Sequence, residues 1–127
     1  MTGKGRLFLP LHGDAFTDFK ENGKKYEMRA CRGRYSPKFV YTGREAELRK
    51  GYSGEGIFGK IGRVVTGALD NIFNEVEFKL VIPRANSRQE AAMVVEQFLG
   101  QEQRYIAFEI VMNSGQTSQP RQYWLSF

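Results

Sequence analysis

Cysteine and histidine are almost missing from this chain. With one of each in 127 residues, Cys31 and His12, no intramolecular disulfide can form and no Cys/His zinc cluster can assemble. A Ser–His–Asp relay would have to run through His12 alone. No run approaches the roughly eighteen apolar residues of a membrane-spanning helix. The opening, MTGKGRLFLPLHGD, lacks the apolar core and small-residue cleavage site of a signal peptide. These absences set the expectation of a reducing, cytoplasmic setting, with no metal, no cofactor and no membrane partner.

Glycine and aromatic residues are plentiful instead, at fourteen glycines and 13% aromatics. Many turns and strands suit that usage better than a helical bundle does. Apolar residues make up 41% and charged residues 26%, which is ordinary globular material. A chain of this length buries roughly two-thirds of its unfolded surface without staples. One domain is expected over residues 1–112, with 113–127 as a tail that carries the sole tryptophan, Trp124.

The net charge of +5 is unevenly spread. Residues 1–64 carry fourteen Lys/Arg against seven Asp/Glu, whereas residues 65–127 carry five against seven. Between Lys24 and Lys38 six basic residues meet a single acid, Glu27. A one-sided basic face attracts polyanions, nucleic acid above all, although many such faces serve solubility alone. Tyr26, Tyr35, Phe39, Tyr41 and Tyr52 are interleaved with these charges. Exposed, they could stack bases; the expectation is that most fill the core and that Tyr52, in a glycine-rich turn, is the exception.

Along the chain, RLFLPL (Arg6–Leu11) reads as a buried strand. GDAFTDFKENG reads as a two-turn helix, with Asp14 as N-cap and Gly23 at the C-terminal left-handed position. KKYEMRAC alternates, so Glu27 and Arg29 share one strand face and lie close enough to pair. KFVYTG (Lys38–Gly43) and EVEFKLVIP (Glu75–Pro83) are strand candidates. REAELRKGYSGEG fits a helical turn stopped by its glycines, and IFGKIGRVVTGALDNIF fits a bent strand or hairpin.

The clearest element is NSRQEAAMVVEQFLG. Ser87 and Glu90 form a capping box, Ala91, Val94, Val95, Phe98 and Leu99 make the apolar stripe, and Gly100 closes the helix. RYIAFEIVM (Arg104–Met112) alternates, with Ile106, Phe108, Ile110 and Met112 as its core face. The expected fold is α+β, mostly β: a small barrel or strongly curved sheet with two packed helices.

The stretch LPLHGDAFTDFKENGKKYEMR resembles the opening of the ASCH domain, a member of the PUA-like superfamily, in its short bacterial and phage-type form. Members carry a strand, a short helix and then G-x-K-x-x-E-x-R. Lys24, Glu27 and Arg29 match the charged positions, while the pattern's glycine falls at Asn22, with Gly23 beside it. KGYSGEG is similar to a Gly-Tyr-Gly turn interrupted by Ser53, and RYIAFEIV to the closing strand. The resemblance spans residues 6–112. It implies a PUA-like small β-barrel whose cleft is lined by the Lys, Glu and Arg and which serves RNA or modified nucleotides.

Some relatives of that type hydrolyse acylated cytidines, and ribonuclease activity is attributed to others. The hydrolase type uses a Lys, a Thr and a distant Glu; here Glu27 stands at the Thr position, and Glu75 and Glu77 fall in the region of the distant Glu. The leading expectation is therefore a module binding RNA or a modified nucleoside or nucleotide. Its binding residues would be Lys24, Glu27, Arg29, Arg32, Arg34, Lys50 and Tyr52. Lys24 and Glu27 are the catalytic candidates if it is a hydrolase, and a protein-interaction domain is the third possibility.

Overall fold

The computed structural model describes residues 5–113; the expectations placed on Trp124 and the rest of the tail lie outside them. Five strands form one curled, half-barrel sheet in an α+β fold. β1 (Leu7–Leu11), β2 (Tyr26–Ala30), β3 (Glu45–Lys50), β4 (Gly56–Gly67) and β5 (Tyr105–Met112) take the order β1-β3-β4-β5-β2. β1 runs parallel to β3, and the other neighbouring pairs are antiparallel. β4 bends where its pairing with β5 shifts between Ile61 and Val64, which is how one long strand curls the sheet.

Three helices pack on it: α1 (Gly13–Glu21), α2 (Leu69–Glu75) and α3 (Arg88–Leu99). The sequence led to two. The missed one lies in ALDNIF, where Leu69, Ile72 and Phe73 are buried at i, i+3 and i+4, a helical spacing hidden behind the β-branched run before it. α1 starts one residue ahead of Asp14, with His12 at the N-cap position and no side-chain cap; Asp14 sits in the first turn, where an acid favours the helix dipole. Gly23 leaves that helix with φ 82° and Gly100 closes α3 with φ 83°, conformations that cost glycine nothing. In α3 the cap is the expected one: Ser87 Oγ accepts from the Glu90 N–H at 3.1 Å, while Glu90 Oε1 accepts from the Asn86 N–H at 2.8 Å.

Two strand expectations fail. Lys38–Gly43 is a series of turns in which Val40 alone is buried, and Phe78–Leu80 is a single 3-10 turn inside the expected Glu75–Pro83 strand. Conversely, EAELRK forms β3 despite being built of good helix formers. Ala46 and Leu48 alternate inward, and pairing with β1 and β4 on either side overrides intrinsic preference.

β5 is buried on both faces. Ile106, Phe108 and Ile110 join β1, β3 and α1 in one apolar cluster, while Tyr105 and Ala107 join α2, α3 and β2 in a second. The sequence reading assigned core to the first face only. Truncating Phe108 to Ala should cost about 3–5 kcal/mol, whereas Ser87→Ala should cost about 1 kcal/mol; urea unfolding of the two variants checks both.

Candidate functional site

Alternation in β2 sends Tyr26 and Met28 into the second cluster and leaves Glu27 and Arg29 on the opposite face. Lys24 precedes the strand, its backbone N–H bound to the Asp18 carbonyl at the end of α1. The three side chains converge. Glu27 Oε1 lies 3.4 Å from Lys24 Nζ, and Oε2 lies 2.8 Å from both Nε and Nη2 of Arg29. Side-chain exposures of 5%, 10% and 18% for Lys24, Glu27 and Arg29 make this a buried charge cluster.

Both cations have further anchors. Lys24 Nζ donates to the Val81 carbonyl in the loop ahead of α3. Arg29 Nη1 donates to the Tyr35 hydroxyl at 3.0 Å, and Nη2 to the Pro10 carbonyl at 3.2 Å. The Arg29 fork is thus committed to holding Glu27 and two chain segments. Burial pushes the Lys24 ammonium below its ordinary 10.5; the Glu27 charge opposes that shift without cancelling it.

Around this floor opens a cleft of about 770 Å³, within the size range of small-molecule sites. Its walls come from the end of β1, the start of α1, the 81–85 loop and α3. Val94, Phe98 and Leu99 line it, and Phe98 is 66% exposed. Only Ala91 and Val95 of the expected apolar stripe are fully buried; the surplus of that stripe is cleft wall. The His12 ring faces Phe98 across 5.8 Å. At the rim, Arg84 Nε donates to Asp18 Oδ1 at 2.9 Å, and that hydrogen bond holds the guanidinium pKa further up.

Sequence reasoning missed Asp18, Arg84 and the α3 wall. The surplus width of the apolar stripe was the one available signal; the Arg84–Asp18 pair spans 66 positions and has none. Arg32, Arg34, Lys50 and Tyr52 do not line the cleft. Nor do Glu75, which pairs with Arg63 at 2.7 Å, and Glu77. Of the five interleaved aromatics, Tyr26 is buried and Tyr35 half-buried, but Phe39, Tyr41 and Tyr52 are exposed. Turns where a strand was expected turn the two middle ones outward.

The cleft lining carries three basic side chains, Lys24, Arg29 and Arg84, against four acidic ones, Asp14, Asp18, Glu27 and Glu90. It is not a basic funnel. Among the described residues no group of three His, Cys, Asp or Glu side chains is placed to hold a metal ion, and no helix is long and apolar enough to cross a membrane.

No family model matches the sequence, and no curated protein matches it significantly. Solved structures do match in shape. The hypothetical protein PH0355 superposes with a TM-score of 0.70 at 17% identity, over 85% of this chain and 99% of that one. The ASCH protein of Zymomonas mobilis superposes with a TM-score of 0.58 at 9% identity, over 90% and 71%. This chain has the ASCH fold. Protein PF0455 from Pyrococcus furiosus agrees, with a TM-score of 0.59 at 14% identity over 86% and 98%.

Two outcomes follow for this ASCH-fold cleft. Glu27→Gln strips the counterion from two buried cations and should cost about 3 kcal/mol, the low end for breaking a buried pair because the cluster keeps some solvent contact. For Lys24 the folded pKa lies below the unfolded one, so between those values the unfolded chain binds more protons and stability rises with pH. Relative to Lys24→Met, wild type should therefore gain stability from the folded value up to 10.5. Urea unfolding across alkaline pH measures it, and a parallel pair of curves would contradict the shift.

Proposed function

We propose that the cleft binds a nucleobase, presented by RNA or by a modified nucleoside or nucleotide. One observation carries the reading: a buried, immobilised carboxylate, Glu27, stands on the floor of a cleft whose far wall is exposed and aromatic. Among the described residues the partner of Glu27 Oε1 is Lys24, at 3.4 Å, so this oxygen can also accept from an exocyclic amino group, as carboxylates do from cytosine N4. Phe98 and His12 offer ring faces for a flat base. The charge balance of the lining favours a neutral, hydrogen-bond-donating group over a phosphate. The likeness in fold to an ASCH protein supports this reading.

Calorimetric titration with cytidine, adenosine and uridine tests this. The two amino-bearing nucleosides should bind more tightly than uridine. Glu27→Gln, checked for folding by NMR, should weaken cytidine roughly tenfold to a hundredfold, the worth of one hydrogen bond to a charged group. Equal binding of all three nucleosides, unchanged in Glu27→Gln, would overturn the proposal.

A hydrolytic reading rests on a separate observation: Lys24 Nζ is buried 3.4 Å from Glu27 Oε1, and burial lowers its pKa. A lysine so placed is a candidate general base. In that case N4-acylated cytidine should turn over with wild type and not with Lys24→Met.

A further inference from the structure

β1 is an edge strand, and an open edge leaves a row of backbone carbonyls bare. Here arginines cover them. Arg44 Nε donates to the Gly5 carbonyl at 3.1 Å, Arg34 Nη2 to that of Phe8, and Arg29 Nη2 to that of Pro10 at 3.2 Å. All three arginines come from residues 28–44, a stretch with five basic residues and no Asp or Glu. From Gly5 to Pro10 this edge runs roughly 17 Å at about 3.3 Å per residue.

The Tyr35 ring lies 4.9 Å from the guanidinium carbons of both Arg29 and Arg34. The Tyr52 ring, on a residue 79% exposed, lies 6.0 Å from that of Phe8. Phe39 is exposed under Lys38, whose Nζ is 5.6 Å from the ring centroid. The two carboxylates on β3 are engaged by other arginines, Glu47 by Arg49 and Arg6 and Glu45 by Arg6. The cleft, by contrast, is lined by four acidic and three basic side chains.

We infer that this arginine-capped edge is the track for the sugar-phosphate backbone of a single-stranded nucleic acid. The inference rests on the nucleobase reading of the cleft and divides the labour: donors for phosphate on the edge, an acceptor for the base on the floor. Arg29 joins the two, since one guanidinium holds Glu27 and caps Pro10. Arg34 donates to one carbonyl and Arg44 to two, which leaves these two guanidinium groups further N–H donors for phosphate oxygens; Arg29 is taken up by Glu27, Tyr35 and Pro10. Tyr52 and Phe39 supply faces on which bases of any sequence stack.

Fluorescence anisotropy with a labelled single-stranded RNA of about twelve nucleotides, inside the usual ~4–16 range for such surfaces, is measured over a salt series. Cytidine binding by calorimetry serves as the independent readout of the cleft. Tyr52→Ala should weaken the RNA roughly tenfold. The double variant Arg34→Gln, Lys38→Gln should lower the slope of log affinity against log salt by about 1.4, two phosphate contacts at ~0.7 each. Both should leave cytidine affinity unchanged. RNA affinity and slope unaltered in both variants, or no binding of the RNA by wild type at low salt, would overturn the track. Should Arg34→Gln unfold the chain, Tyr52→Ala still decides, because that side chain is almost wholly in solvent. If RNA binding follows the edge variants while cytidine never binds, the track stands and the cleft reading falls.

Discussion

A carboxylate taken out of water must be paired, and everything around the cleft follows from how Glu27 meets that demand. Its partners, Lys24 and Arg29, are each anchored to a different part of the chain. Lys24 ties the end of α1 to the loop before α3; Arg29 ties β2 to the Tyr35 turn and to β1. Four consecutive segments and the distant loop before α3 are thereby held in register by one buried anion. Apolar packing could bring them together, but only the charge cluster fixes their orientation around an opening. A lysine driven below its ordinary pKa is the cost of that arrangement.

The two faces of the sheet make the arrangement possible. β5 sends Ile106, Phe108 and Ile110 one way and Tyr105 and Ala107 the other, so two apolar clusters share a central strand. β2 lies beside it at the sheet edge and pairs Glu27 with Phe108 and Arg29 with Ile106. Polar side chains there reach the seam between α1 and α3, where neither cluster closes over them. A solvent-open seam backed by two rigid cores is a natural place for a preformed site.

Local physics explains what could be read from sequence. Residues two apart on a strand share a face, so the Glu27–Arg29 pair was visible, as were the Ser87 cap and the left-handed glycines at 23 and 100. Elements whose identity depends on neighbours were not. β3 is written in helix formers and becomes a strand because β1 and β4 flank it; KFVYTG is written in strand formers and becomes a set of turns between Pro37 and Gly43. The partners of Lys24 and Asp18 lie 57 and 66 positions away, beyond any periodicity. Charge summed along the chain suggested one basic face, whereas folding separates a cleft with four acidic side chains from a basic edge.

The central claim is that Glu27 is a fixed acceptor waiting at the floor of the cleft. A crystal structure of the protein soaked with cytidine tests it most directly. The expected result is the base lying against Phe98 with its exocyclic nitrogen about 2.9 Å from Glu27 Oε1, and the Lys24–Glu27–Arg29 cluster unmoved. Cytidine bound elsewhere, or in the cleft with its amino group turned away from Glu27, would contradict the account.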